Sequence, residues 1–279
     1  MSLAVSMAVL LAALLHASWN AMIKGGGDVL HDTAGIVVGA MLIGLPFLFV
    51  VPVPPAAAWP FIIASVVVHL AYYWLMISAY RAGDLSLVYP LMRGVAPLIT
   101  ALAGIAVLGE LPAPLAWLGM LLISAGVFTL GYRALGHAPS RAAVGFALAN
   151  AGVIALYTLI DGKGARASGN AFSYIVWLFV LDGIPFSLWM LATRRASFIA
   201  HLRARSRRAL FGGGLSAAAY AISVWAMTKA PVALVASLRE TSVLFATLLG
   251  ARLLRERLSP RRWGGVVAVV AGVIALKAV

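Results

Sequence analysis

Ten long apolar runs alternate with short stretches that carry glycine, proline or charge. They cover roughly residues 2–23, 33–51, 57–80, 85–108, 114–132, 142–160, 171–192, 209–228, 232–254 and 263–279. The breakers fall between them: Gly25-Gly26-Gly27, the prolines from Pro52 to Pro55, Pro112 to Pro114, the segment 162–169, and Ser259-Pro260. A membrane-spanning helix needs about 20 apolar residues, whereas a barrel strand is shorter and alternates in polarity. The pattern therefore predicts an all-α polytopic membrane protein with ten transmembrane helices.

Within several runs the polar and aromatic positions recur at helical spacing, and such faces are expected to turn away from lipid. Helix 1 offers His16, Trp19 and Asn20; helix 3 offers His69, Tyr73, Met76 and Tyr80. Helix 4 carries Ser86, Tyr89, Pro90, Arg93, Pro97 and Thr100 on one stripe. Helix 6 offers Asn150, Tyr157 and Asp161, and helix 8 offers Ser216, Tyr220 and Ser223. Tyr80 and Asp161, near span ends, read equally well as interfacial anchors. Ionisable residues inside spans are costly and mark either function or pairing. Arg93, Asp182, Arg239 and Glu240 are of this kind. Asp182, close to Gly183 and Pro185, reads mainly as structural. Adjacent helical residues diverge by about 100°, so Arg239 and Glu240 are not expected to pair with each other.

A shift of 146 residues aligns Arg93 with Arg239 and Glu110 with Glu256. It also aligns Pro114 with Pro260, Trp117 with Trp263, Gly119 with Gly265 and Gly126 with Gly272. The chain thus divides into residues 1–135 and 141–279, with five helices in each half. An odd number inverts the second half, the arrangement of many secondary transporters. The glycines of helices 5 and 10 permit close packing, read here as packing within each repeat or as a dimer contact.

Composition agrees: 63% of residues are hydrophobic, only 10% are charged, and mean hydropathy is +1.01. An ordinary soluble globule and a disordered chain are excluded. With no cysteine, thiolate chemistry is excluded as well. The net charge of +13 is not read as nucleic-acid binding, because the cations sit in loops. Fifteen of the 21 Lys and Arg fall in loops after odd-numbered helices, six at 194–208 and five at 252–262, against four on the other side. The positive-inside rule then puts these loops in the cytoplasm and both termini outside, in a bacterial-type inner membrane. The run 203–208 reads as a topology anchor. No basic residue precedes the first apolar run, which is read as a retained span rather than a signal peptide.

The run Leu108-Gly109-Glu110-Leu111 with Pro112, Pro114, Trp117 and Gly119, and its second version from Leu254 to Gly265, resemble the EamA-repeat branch of the drug/metabolite transporter superfamily. Trp19-Asn20 with Lys24 is similar to that family's opening helix, and Tyr157-Thr158 with Lys163 to its sixth-helix counterpart. The resemblance implies two inverted five-helix repeats and alternating access, with aromatic amino-acid or paraquat exporters as the nearest likeness. No metalloprotease or nucleophile-elbow motif is present. We therefore expect a non-enzymatic secondary exporter of aromatic or neutral amino acids and related metabolites, without cofactor or metal, acting as a monomer. A multidrug or organic-cation exporter and a lipid-intermediate flippase remain alternatives. The expected substrate-binding residues are Arg93, Tyr89, Tyr73, Met76, His16, Trp19, Asn20, Tyr157, Tyr220, Arg239 and Glu240. Arg93 is the candidate partner for a substrate carboxylate, because its planar fork suits that group.

Overall fold

The computed structural model describes residues 1–83, 85–131, 140–254 and 259–279. Arg133, Arg255, Glu256 and Arg257 lie outside the described residues, as do the side chains of Lys24, Ser86 and Arg252. Among the described residues every regular element is helical and none is a strand. The α-helices are α1 (Leu3–Lys24), α2 (Val29–Gly44), α3 (Trp59–Ala82), α4 (Leu85–Leu108), α5 (Pro114–Gly131), α6 (Arg141–Ala167), α7 (Ala171–Met227), α8 (Val232–Arg239), α9 (Ser242–Leu254) and α10 (Pro260–Lys277). Among the described residues seven stretches are long and apolar enough to cross a membrane, so the protein is a multi-pass membrane protein.

Local signals set the helix starts. Ser2 accepts a hydrogen bond from the Val5 amide, and Asp28 accepts from the amides of Leu30 and His31. The Asp28 cap starts α2 several residues before the apolar run does. His31 and Asp32 are nevertheless buried, because α7 supplies their partners. Ser197 meets His31 at 3.1 Å, and His201 meets Asp32 at 3.1 Å.

Four expectations are corrected. The segment joining the runs 171–192 and 209–228 is a helical connector bounded by two kinks rather than an open loop. The 57-residue stretch Ala171–Met227, called α7 throughout, is made of helices joined across kinks, with non-helical backbone at Arg194 (φ −144°, ψ 33°) and Arg205 (φ −126°, ψ 26°). A straight helix of that length would measure about 85 Å, nearly three hydrocarbon thicknesses. The two kinks fold it back instead. Gly44 and Met41 of α2 contact Val180 and Gly183 on the outgoing arm, while Gly39 and Ile43 contact Ala209 and Gly214 on the returning arm.

The arginine run is more than an anchor. Arg205 donates to the Gly26 carbonyl at 2.7 Å and to Asp32 at 3.3 Å, and Arg208 donates to the Met22 carbonyl. Both guanidiniums hold the end of α1 and the start of α2 against the kink.

The run 232–254 is also broken, at Glu240-Thr241. The Ser237 hydroxyl bonds the Ala233 carbonyl, and the Thr241 hydroxyl bonds the Leu238 carbonyl. The amides of Glu240 and Thr241 each reach back only three residues. Side-chain competition for carbonyls and a tightened turn end α8 there.

The glycines of helices 5 and 10 join the two halves rather than packing within either. A Cβ on Gly119 would lie 2.9 Å from the Gly272 carbonyl oxygen, and one on Gly126 would lie 2.8 Å from that of Gly265. Helices α5 and α10 therefore cross antiparallel at backbone contact. Val88, Met92, Met120, Val235 and Leu238 form part of the central core where α4, α5 and α8 meet.

Candidate functional site

The break after α8 aims two adjacent side chains in different directions. Glu240 reaches α4, where its Oε2 lies 2.7 Å from Arg93 Nε; both side chains are about 95% buried. The Arg93 N–H is not directed at that oxygen, so this is a close ion pair without an aligned hydrogen bond. Arg93 also donates weakly to the Ser242 hydroxyl at 3.5 Å. Its charge is thus met from within the protein. Arg239 turns the other way, its guanidinium 5.2 Å from the centre of the Tyr220 ring. Among the described residues no carboxylate lies within ion-pair distance of Arg239.

Tyr220 belongs to an aromatic wall. The rings of His69 and Tyr157 are 4.5 Å apart, and Tyr72 and Tyr157 are 5.8 Å apart. Behind this wall sits Asp161. It is fully buried and accepts from Tyr174 at 2.8 Å and from Tyr220. The anchor reading of Asp161 is therefore replaced. It lies in the interior, where its two tyrosine donors satisfy it.

In front of the wall is a small cavity, walled by Trp19, Thr33, Tyr72, Tyr73, Met76, Phe179, Asp182 and Ser216. Three of its polar atoms are buried without a hydrogen-bond partner: the Trp19 indole N–H, the Thr33 hydroxyl and Asp182 Oδ1. The other Asp182 oxygen accepts from the Tyr73 hydroxyl at 3.0 Å, and His69 Nδ1 lies 3.8 Å from Oδ1. Unmatched buried polar groups cost roughly 1–3 kcal/mol each. Three such groups on one cavity form a set of one acceptor, one donor and one hydroxyl able to play either part. Aromatic faces around a carboxylate suit a cation as well.

The structure thus brings Trp19, Tyr73 and Met76 together at this cavity, with Tyr157 and Tyr220 in the wall beside it. His16 stacks edge-on against Trp19 at 4.9 Å. Asn20 is spent locally, its amide donating to the His16 carbonyl at 2.9 Å. Tyr89, Arg93 and Glu240 form a separate buried group between α4 and the end of α8. The sequence reading took Asp182 as mainly structural and gave Thr33 no role; both line this cavity. A lone carboxylate in the middle of an apolar run was the available signal for the first.

Across this helical framework, the EamA-like transporter family matches residues 3–132 and 141–277. The chain belongs to this family. It carries two EamA repeats, and the resemblance to the family seen in the sequence holds. The chain is 26% identical over 222 residues to an uncharacterized transporter, YwfM, of Bacillus subtilis (strain 168), covering 79% of this chain and 74% of that protein. A solved crystal structure of a protein 18% identical in sequence superposes with a TM-score of 0.78, covering 99% of this chain and 96% of the other, which shows a shared fold.

The Glu of the EamA turn has a structural explanation. Glu110 Oε1 lies 2.6 Å from Arg166, and Oε2 accepts from the Val232 amide at 2.7 Å. Arg166 in turn donates to the Met227 and Ala230 carbonyls. One carboxylate thereby caps the start of α8 and clamps it to the ends of α6 and α7.

Proposed function

We propose that this EamA-like transporter is a secondary exporter of aromatic or neutral amino acids and related small metabolites. The observation that carries the reading is the convergence of Asp182 Oδ1, the Trp19 N–H and the Thr33 hydroxyl on one aromatic-walled cavity. Asp182 takes the substrate ammonium, and Tyr72, Tyr73 and Phe179 supply cation-tolerant walls. Arg239 takes the carboxylate in preference to Arg93, because Arg93 is neutralised by Glu240 while Arg239 only rests on a tyrosine ring.

Ten spans in two inverted repeats, residues 1–135 and 141–279, fit this activity. Support comes from the crossing of α5 and α10. Gly119 meets Gly272 and Gly126 meets Gly265, and each pair becomes the other when the 146-residue register is applied. A two-fold axis generates reciprocal contacts of this sort. Transport is then alternating access about that axis, by a monomer in an inner membrane with both termini outside the cytoplasm.

The second reading, an organic-cation exporter, is favoured by the Asp182 Oδ1 oxygen, which has no hydrogen-bond donor, among aromatic rings. Counterflow in proteoliposomes tests both. We expect accelerated exchange of labelled neutral amino acids, inhibited more strongly by amino acids than by their decarboxylated amines. Stronger inhibition by the amines selects the organic-cation reading. No exchange with either class rejects both.

A further inference from the structure

A second, larger opening lies between α3 and the outgoing arm of α7. Its walls include Trp74, Ile77, Phe186 and Trp189, and Trp74 and Trp189 are 63% and 45% exposed. Arg81 and Arg194 border it. Both belong to the helix ends that the charge distribution assigns to one membrane face: Arg81 lies in the last turn of α3, and Arg194 lies at the first kink of α7. Among the described residues neither guanidinium has a hydrogen bond or an ion pair. Arg205 and Arg208, by contrast, are committed to Asp32 and to backbone carbonyls. The crevice is thus apolar and aromatic along its walls, with two uncommitted cations bordering it.

We infer that the crevice holds one anionic phospholipid. Its phosphate sits between Arg81 and Arg194, and an acyl chain lies along Ile77, Phe186 and the two tryptophans. Guanidiniums suit phosphate through paired N–H donors, and indoles suit the junction between headgroup and chain. A zwitterionic lipid would bring its own cation to the same place and gain less. The site touches the transport cavity through one residue. Tyr73 lines both openings, and its hydroxyl holds Asp182.

The test is native mass spectrometry of the full chain in detergent, titrated with phosphatidylglycerol and phosphatidylcholine of matched chains. Wild type, Arg81→Gln, Arg194→Gln, the double variant and Arg81→Lys/Arg194→Lys are compared, with Arg203→Gln as an exposed control. Melting temperature in detergent alone checks that each variant is folded. We expect wild type to retain phosphatidylglycerol over phosphatidylcholine, and each glutamine to reduce that preference about fivefold, the worth of one basic residue near an anionic lipid. The double glutamine variant reaches parity, the lysine variant keeps most of the preference, and Arg203→Gln keeps all of it. Glycerol phosphate does not displace the lipid. Equal retention of both lipids by wild type, an undiminished preference in the double variant, or displacement by glycerol phosphate alone would each overturn the proposal. No outcome depends on the transported substrate.

Discussion

Arg93 of α4 and Glu240 at the end of α8 form a buried ion pair across 2.7 Å, with both side chains about 95% buried. The sequence-equivalent arginine, Arg239, is the immediate neighbour of Glu240 and takes no part in it. Two positions related by the repeat therefore have different electrostatic fates.

The pair sets a stability prediction. Glu240→Gln leaves a buried guanidinium uncompensated and should cost about 3–5 kcal/mol. Arg93→Met combined with Glu240→Leu should recover much of that loss, since no charge remains to be desolvated. Thermal melts in one detergent compare the variants. A single variant as stable as wild type would show that the pair contributes nothing to the fold.

Asp182→Asn keeps the side-chain shape and removes the charge. Loss of a charged contact worth about 1.5–3 kcal/mol should slow exchange of ammonium-bearing substrates roughly 10- to 100-fold. Tyr73→Phe removes one donor to the same carboxylate and should have a smaller effect. Counterflow rates per folded molecule measure both. Unchanged exchange in Asp182→Asn would remove this residue from the substrate site.

Arg239→Gln should abolish the preference for an amino acid over its matching amine, and Arg239→Lys should restore part of it, because the charge returns without the planar fork. Arg93→Lys should leave the preference in place. If Arg93 variants lose it while Arg239 variants keep it, the carboxylate belongs to Arg93, as the stripe on helix 4 suggested.

The glycine crossing is tested by adding methyl groups. A Cβ at Gly272 would stand 2.7 Å from the Gly119 carbonyl oxygen, whereas one at Gly264 meets nothing within 4 Å. Gly272→Ala should destabilise by about 1–3 kcal/mol through overpacking. Gly264→Ala, mid-helix and unopposed, should be neutral or gain up to about 1 kcal/mol. Equal melting temperatures for the two variants would mean that the crossing yields without cost.

Topology is read by single cysteines, for which the native chain is a clean background. A cysteine at Ser206, an exposed position in the arginine run, should resist an impermeant external reagent in intact cells. A cysteine at Lys163, also exposed, should react. The reverse pattern would invert the assigned orientation.

The helical class, most of the helix positions, the 146-residue register and the family were legible in the chain. The first two rest on local composition: an apolar run long enough to cross lipid must close its own backbone hydrogen bonds, and it does so wherever it lies. The stripe logic also foresaw Trp19, Tyr73 and Met76 facing a common interior. It also put Asp161 on the inward stripe of helix 6; only the alternative reading, an interfacial anchor suggested by its place near a span end, fails. The two tyrosines that satisfy Asp161 come from residues 13 and 59 positions away.

What the sequence determined by itself was which segments leave water, because that depends on transfer free energies summed along each run. Only the tertiary structure decided how the interior charges were matched. Arg93 found Glu240, Glu110 found Arg166 and the start of α8, and Asp182 kept one oxygen open to the cavity. It also decided that α7 folds back on α2 and that the run 232–254 breaks at Glu240. The physical reason is range. Hydrophobic transfer is nearly a sum over residues, but an ion pair or a hydrogen bond depends on the distance between groups far apart in the chain. At a few ångströms in a low dielectric, that distance decides whether a buried charge is structural or left to meet a ligand.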